Sequence, residues 1–179
     1  TMREILRVLE PAKDRFPFGV HILVGKNHTV FMADTTVNSD PSALMLADIA
    51  EQTAIVAKRM GHEPRVAFLS YSTFGNPEGY WIEKIRDAVA LLDQRQLNFE
   101  YEGEMAADVA LNLSLKKNYP FSRLTGPANV LVMPGLQSAN ISAKLLRELG
   151  GDNVIGPILL GMEKSVQIAP MVTTASDLV

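Results

Sequence analysis

Short apolar runs alternate with longer segments of helical periodicity along this chain. Residues 65–69, 129–133 and 154–160 are apolar at nearly every position, which is typical of strands buried on both faces of a sheet. Residues 41–60 and 80–94 instead carry apolar side chains at intervals of three and four, as amphipathic helices do. The alternation predicts an α/β protein in which helices cover both faces of a sheet.

The clearest unit is a strand, a helix and a strand near the C-terminus. Pro134-Gly135 turns the strand 129–133 into a helix over residues 136–149, for which Ser138 is the predicted N-cap and Gly150-Gly151 the predicted stop. Its predicted apolar stripe consists of Ile141, Leu145, Leu146 and Leu149. Because parallel strands need a crossover connection, the two strands are expected to pair in parallel.

The elements upstream complete the predicted fold. Residues 18–25 and 28–33 read as an antiparallel hairpin at a sheet edge, with Lys26-Asn27 as its turn. Pro41 is placed at the first position of a helix whose inward residues are Met45, Ile49, Val56 and Met60. The remaining predictions are helices over 1–9 and 105–115, a strand over 97–101, and Ile82, Ile85, Val89 and Leu92 as the inner face of the helix 80–94. The predicted fold is a three-layer α/β/α sandwich with a mostly parallel sheet.

Composition narrows the classes of function. The chain has 179 residues, a net charge of −3 and dispersed basic side chains, so we expect no nucleic-acid partner. It has no cysteine, which excludes disulfides and a thiolate nucleophile, and its three histidines lack metal-ligand spacing, so no metal site is predicted. No apolar window reaches the roughly 18 residues of a membrane span, so we expect no membrane partner. The lack of cysteine is compatible with a reducing cytoplasm, which is the expected location.

Residues 70–79 form the first candidate binding segment. They leave the carboxyl end of a buried strand and enter a helix, and in open α/β sheets ligands bind at that end. The hydroxyls of Ser70, Ser72 and Thr73, followed by Phe74, suit a phosphate near a helix start. The segment has neither of the glycine-rich phosphate signatures, so a polar loop without a ligand fits the pattern as well.

Two further groups of residues are candidates for anion binding. Asn140 and Lys144 are four positions apart near a helix N-terminus, and they share one face with the positive end of the helix dipole. Lys116, beside Lys117, is suited to a nucleotide phosphate, and the ring of Tyr119 to stacking on an adenine. A solvated helix face and a basic helix C-terminus, respectively, are the alternative interpretations.

Many short motifs along the chain, taken in sequence order, resemble the phosphate acetyl/butyryltransferase family. They cover nearly the whole chain and comprise Ser122, Gly126, Ala128-Asn129-Val130, Pro134-Gly135-Leu136, Ala139-Asn140-Ile141, Lys144, Leu149-Gly150-Gly151 and Ile155-Gly156-Pro157-Ile158. Residues 101–112 and 119–130 are more narrowly similar to the version of this domain at the C-terminus of bacterial NADP-dependent malic enzymes.

The resemblance implies a domain organisation. In that family one domain is inserted into another, which would make residues 15–156 the central domain and residues 1–14 and 157–179 pieces of an outer α/β domain. The chain is then expected to be cut at both ends. The resemblance also implies that the loop 70–74 lines a coenzyme A cleft, and that the chain forms a homodimer through its central domain, with higher oligomers left open.

The same resemblance bears on catalysis. Active members carry an adjacent Ser-Arg pair where this chain has Pro170-Met171, followed by a catalytic Asp that aligns with Asp177. Attack of a thiolate on acetyl phosphate needs a base near the thiol and a guanidinium on the phosphate, and methionine supplies neither charge nor fork geometry. Asp177 would therefore be catalytic only in an active acyltransferase. The resemblance also implies that Arg7 corresponds to a substrate-binding arginine of those enzymes.

The resemblance therefore implies a catalytically silent domain that binds acetyl-CoA or CoA and regulates a malic enzyme. The N-terminal domains of that enzyme, outside this sequence, would bind NADP and Mg²⁺ or Mn²⁺ and decarboxylate malate to pyruvate. An active phosphate acetyltransferase is the alternative, and a generic nucleotide-binding α/β domain is the third hypothesis.

Overall fold

A computed structural model describes residues 4, 7–26, 28–75, 77–149 and 153–167. The strands are β1 (Phe18–Val24), β2 (Thr29–Ala33), β3 (Arg65–Leu69), β4 (Glu100–Met105), β5 (Val130–Val132) and β6 (Asn153–Leu160). The helices are α1 (Ala43–Arg59), α2 (Tyr80–Asp93), α3 (Ala107–Leu111), α4 (Leu113–Lys116) and α5 (Leu136–Leu149).

The six strands form one mixed sheet in the order β4-β3-β5-β2-β1-β6. The pairs β4–β3, β3–β5 and β5–β2 are parallel, whereas β1 is antiparallel to both β2 and β6. The predicted α/β class and the antiparallel hairpin are confirmed. The hairpin was wrongly placed at the edge, because β6 covers the outer side of β1. This position explains why Val20 and Ile22 of β1 are fully buried.

The crossover from β5 to β6 also differs from the prediction. The two strands point in the same direction, but β2 and β1 lie between them, so they do not pair. An apolar run indicates that a strand is buried but does not indicate which strand it pairs with. Strand β6 pairs with β1, and Phe18 lies opposite Leu160.

Two apolar cores lie on opposite faces of the sheet, which confirms the three layers. Helices α1 and α2 cover the first core, where Phe18, Phe31 and Phe68 are almost wholly buried. The second core contains Met32, Met105 and residues of the helices α3 and α5. All four predicted inward residues of α2 are buried, as the period of the helix requires.

Other local predictions need correction. Helix α1 begins at Ala43, because the Ser42 hydroxyl accepts the N–H of Met45 as the N-cap and leaves Pro41 outside the helix. Met60, predicted to face inward, is half exposed at the end of this helix. The predicted strand 97–101 begins three residues later, and the predicted helix 105–115 is two short helices interrupted at Asn112.

Helix α5 has the predicted bounds but the opposite orientation. Its buried residues are Ala139 and Ala143, whose small side chains allow the helix to lie close to the sheet. The predicted apolar stripe faces outward instead, with exposures of 59% for Ile141, 53% for Leu145, 42% for Leu146 and 81% for Leu149. Ser138 lies within the first turn, where its hydroxyl donates to the carbonyl of Gly135, so it is not the N-cap.

The segments that enter and leave the sheet lie side by side. Pro11 forms a bridge with Met162, and the N–H of Ala12 donates to the carbonyl of Gly161 at 2.9 Å. Strand β6 continues through residues 156 and 157, where the central domain was predicted to end, although the register of its pairing with β1 shifts there. The domain boundaries stay a prediction.

Candidate functional site

The carboxyl ends of β2, β3, β4, β5 and β6 meet at one edge of the sheet, because these five strands point the same way. A cavity of about 260 Å³ lies there and is named the β3–β5 pocket. Its lining residues are Ser70, Tyr71, Trp81, Ile85, Pro134, Gly135, Gln137 and Ser138. Ser70 is the only one of these that was predicted as a site residue.

The loop after β3 is fastened to the end of β4. The N–H of Ser70 donates to the carbonyl of Met105 at 2.9 Å, and the N–H of Phe74 donates to that of Glu104 at 3.2 Å. The hydroxyl of Thr73 accepts the N–H of Ala106 at 2.8 Å, so its oxygen already has one structural partner. Ser72 is half-buried in this loop.

The structure brings Phe74 and Tyr119 together. Their ring centroids are 5.6 Å apart, and Phe121 joins them at 5.0 Å from Phe74. The ring of Phe121 is 65% exposed, so the group presents an aromatic surface to solvent. Lys116 ends α4 three residues before Tyr119 and is half-buried.

The other predicted site residues lie elsewhere. The side-chain amide of Asn140 donates to the carbonyl of Thr35 at 3.3 Å, which links α5 to the loop after β2, while Lys144 is exposed one turn later. Arg7 is exposed and pairs with Glu4 at 3.0 Å. Asp177 and Pro170-Met171 lie outside the described residues. The ligand role of all these residues stays a prediction.

Sequence reasoning did not identify Asp34, which shapes the loop after β2. Its buried carboxylate accepts the N–H groups of Gly19, Thr36, Val37 and Asn38 at 2.7–3.1 Å, as well as the side-chain amide of Asn38. An Asp directly after a buried strand, followed by Thr and Asn, was the available signal, since such side chains bond nearby backbone groups.

Lys84 is a second residue that the sequence did not reveal. Its ammonium is buried, lies 2.6 Å from Oδ1 of Asp40 and donates to the carbonyl of Pro134 at 3.2 Å. It also lies 4.4 Å from the ring centroid of Trp81, within the range of a cation–π interaction. The hydrogen bond from Lys84 lowers the pKa of Asp40.

His21 forms a buried polar contact beneath α5. Its Nδ1 lies 2.8 Å from the hydroxyl of Thr35, and its Nε2 lies 3.5 Å from a guanidinium nitrogen of Arg147. Because arginine only donates, Nε2 accepts and Nδ1–H donates to Thr35, which in turn donates to the carbonyl of Gly19. Burial, reinforced by the charge of Arg147, lowers the pKa of His21 to about 4.

Within the part of the chain that the structure describes, no group of three or more His, Asp or Glu side chains is arranged to hold a metal ion. Over those same residues, no helix has the length and apolarity needed to cross a bilayer.

An open α/β sheet whose loops converge at its carboxyl edge belongs to the class of folds in which ligands commonly bind at that edge. More narrowly, a family model described as phosphate acetyl/butaryl transferase matches residues 1–179, and the chain belongs to this family. Solved structures agree. Residues of this chain superpose on phosphotransacetylases from Staphylococcus aureus (EutD; 28% identity) and Streptococcus pyogenes (32% identity), each with a TM-score of 0.90. The match covers 99% of this chain and 56% and 55% of those chains.

Two curated relatives represent two different functions. An NADP-dependent malic enzyme of Rhizobium meliloti is 53% identical over 99% of this chain, but the chain spans only 23% of its length. A phosphate acetyltransferase of Bacillus subtilis is 34% identical over 93% of this chain, which spans 52% of that protein. The chain therefore corresponds to about a quarter of the malic enzyme and about half of the acetyltransferase.

Proposed function

We propose that this chain is a catalytically silent phosphotransacetylase-like domain that binds acetyl-CoA and regulates an NADP-dependent malic enzyme of which it forms part. The observation that carries the proposal is the 53% identity to a malic enzyme over 99% of the chain. The replacement of the Ser-Arg pair by Pro170-Met171 supports the silence, because no guanidinium is left at that position to hold a phosphate. In this proposal, NADP and Mg²⁺ or Mn²⁺ belong to other domains of a cytoplasmic enzyme.

The geometry of the carboxyl edge supports a ligand of this type. The Ser70–Thr73 hydroxyls and the first turn of the 14-residue helix α5 lie at the same edge, and both suit an anion. The paired rings of Phe74 and Tyr119 offer an aromatic surface for an adenine, and Lys116 a positive charge for a phosphate. The ligand would therefore extend along this edge from the aromatic rings toward α5.

The course of the chain suggests how occupancy could be transmitted. Residues 10–12, which precede β1, and residues 161–163, which follow β6, lie side by side at the carboxyl edge, where the ligand would bind. A ligand bound at this edge would favour one arrangement of this domain relative to the parts of the protein that these two segments connect to it. Such coupling is typically ~1–3 kcal/mol, or about 5–150-fold in affinity.

The outward stripe of α5 supports a homodimer through the central domain. Ile141, Leu145, Leu146 and Leu149 are each at least 42% exposed, and they lie on one helix. A contiguous apolar surface of this kind is typical of an interaction surface. A second copy of the chain is the proposed occupant, because identical faces can cover each other by twofold symmetry.

The proposal is tested with Lys144→Ala and Ser72→Ala in the full-length protein, assayed for malate oxidation during a titration with acetyl-CoA. We expect each variant to need about tenfold more acetyl-CoA for half-inhibition, since a charged or polar ligand contact is lost. Lys58→Ala, an exposed lysine in the last turn of α1 at the opposite edge, is the matched control. An unchanged curve in both variants would place the site elsewhere.

A second candidate function is phosphate acetyl transfer between acetyl-CoA and phosphate. It is favoured by the 34% identity to the Bacillus subtilis acetyltransferase. Formation of acetyl-CoA from acetyl phosphate and CoA by the full-length protein distinguishes the two candidates.

A further inference from the structure

A second cavity lies beside α1, on the face of the sheet opposite α5, and is named the Arg15–Arg95 groove. It is formed by the turn before β1, the first turns of α1 and the loop after α2. Its volume is about 310 Å³, at the lower end of the roughly 300–1,000 Å³ of small-molecule sites. It shares no lining residue with the β3–β5 pocket. The lining residues are Asp14, Arg15, Phe16, Leu44, Asp48 and Arg95.

Two guanidinium groups supply the positive charge of the groove. Nη1 of Arg15 lies 2.7 Å from Oδ1 of Asp48, and Nη1 of Arg95 lies 2.6 Å from Oε2 of Glu51. Among the described residues, each guanidinium donates to one carboxylate, and each side chain is partly exposed. Because an arginine has five N–H donors, each guanidinium keeps donors for the carboxylate of a ligand.

The two carboxylates that line the groove differ in their surroundings. Asp48 is 6% exposed, and its two oxygens are held by Arg15 and by the side-chain amide of Gln52 at 2.6 Å. Asp14 is exposed, in a turn that the N–H of Arg15 closes by donating to the carbonyl of Ala12 at 3.0 Å. The charge of Asp48 is balanced within the groove, so Asp14 is the carboxylate that a cationic group of a ligand would meet.

Phe16 and Leu44 give the groove an apolar wall. Leu44 is 50% exposed on α1, and Phe16 is half-buried in the segment that leads into β1. A ligand that covers these side chains would remove apolar surface from water, which favours binding. The wall therefore suits an aliphatic group.

The mixture of charges limits the class of ligand. A simple anion would be attracted by the guanidiniums but repelled by the carboxylates, and a simple cation would meet the reverse. A molecule that carries both charges close together can place each one beside an opposite charge. The groove therefore suits a zwitterion whose remaining part is apolar.

We infer that the Arg15–Arg95 groove binds a free α-amino acid with an apolar side chain. The carboxylate of the amino acid accepts hydrogen bonds from Arg15 and Arg95. Its ammonium donates to Asp14, and its side chain packs on Phe16 and Leu44. This site is separate from the one proposed for acetyl-CoA, and the inference does not depend on the proposed function.

Calorimetry on the full-length protein, with L-leucine as the probe, tests the inference. We expect saturable binding with a dissociation constant of about 1 mM or less. 4-Methylpentanoate lacks the ammonium and 3-methylbutylamine lacks the carboxylate. Each should bind at least about tenfold more weakly than L-leucine, because one charged hydrogen-bonding group is lost. Glycine should also bind more weakly, since it has no side chain to cover the apolar wall.

Two substitutions locate the bound amino acid. Asp14→Asn should weaken L-leucine binding about tenfold because the ammonium loses a charged partner, and Arg95→Gln should do the same through the carboxylate. Asp108→Asn, at an exposed residue of α3 on the opposite face of the sheet, is the control for the first. Arg59→Gln, at the exposed end of α1, is the control for the second. Both controls should bind L-leucine as the unsubstituted protein does.

Three outcomes would each overturn the inference. The first is no saturable binding of L-leucine up to about 10 mM. The second is an affinity for either analogue equal to that for L-leucine, and the third is unchanged L-leucine binding in either Asp14→Asn or Arg95→Gln. The comparison of ligands uses the unsubstituted protein, so it decides the matter even if a variant fails to fold. Inhibition by acetyl-CoA is measured separately, so its failure would overturn the proposed function alone.

Discussion

The ammonium of Lys84 lies 2.6 Å from a carboxylate oxygen of Asp40, although 44 positions separate the two residues. The lysine side chain is 4% exposed and the aspartate 48%, so a buried cation is neutralised by an anion at the surface. Because Lys84 also donates to the carbonyl of Pro134, its side chain joins the loop before α1 and the loop after β5 to the first turns of α2.

Because Lys84 is buried and Asp40 is half exposed, we expect substitutions of these two residues to lower the free energy of unfolding by different amounts. Asp40→Asn should lower the free energy of unfolding more than Lys84→Met does, because it leaves the buried ammonium without its counter-charge. Lys84→Met leaves a carboxylate that water can solvate, and its chain still packs on Trp81. Urea unfolding measures both, with the exposed Lys58→Met as control, and the reverse order would contradict the prediction.

His21 is expected to make stability depend on pH. Its pKa is about 4 in the folded protein and 6.5 in the unfolded chain, so the unfolded state takes up the proton first as pH falls. The contribution to stability is complete above pH 6.5 and is lost progressively as the pH falls from 6.5 to about 4.

Urea unfolding of the protein and of His21→Gln at several pH values between about 7 and about 4 checks this expectation. The substituted protein should lose less stability over this interval, since glutamine does not titrate. Carboxylates titrate in both proteins, so the difference between the two curves isolates His21. Parallel curves would show that His21 does not take up its proton with the predicted linkage.

The outward stripe of α5 should determine oligomeric state. Leu145→Lys combined with Leu149→Lys is expected to convert a dimer of the full-length protein into monomers, because two charges would be buried at the interface. Light scattering at micromolar concentration measures the mass. Ile55→Lys, at a 39% exposed residue of α1, is the matched control. An unchanged mass in the double variant would exclude α5 from the interface.

We expect no detectable formation of acetyl-CoA from acetyl phosphate and CoA by the full-length protein. The reason is that both members of the Ser-Arg pair are replaced, by Pro170 and Met171, and loss of even one such electrostatic group costs about 10²–10³ in rate. The acetyltransferase of Bacillus subtilis, assayed in parallel, is the positive control. Robust turnover would contradict the silent domain and favour the second candidate function.

The carboxyl edge of the sheet shows how far sequence reasoning reaches toward a site. The loop 70–79 was identified because it follows an apolar run and enters a helix, and Ser70 indeed lines the pocket. Phe74 and Tyr119 were chosen separately, and only the structure shows that their rings pack together. Lys84 was missed because nothing in a helix sequence distinguishes a lysine that is buried against a distant aspartate from one that is solvated.

Local periodicity and turn residues were enough to predict the α/β class, the bounds of β3 and α5 and the inner face of α2. The strand that pairs with the outer side of β1, and the face of α5 that packs on the sheet, could be read only from the folded chain. Strand order is set by contacts between residues far apart in the chain. Ala139 and Ala143 of α5 face the sheet because small side chains allow the helix to pack close to it. The leucines of α5 are therefore exposed.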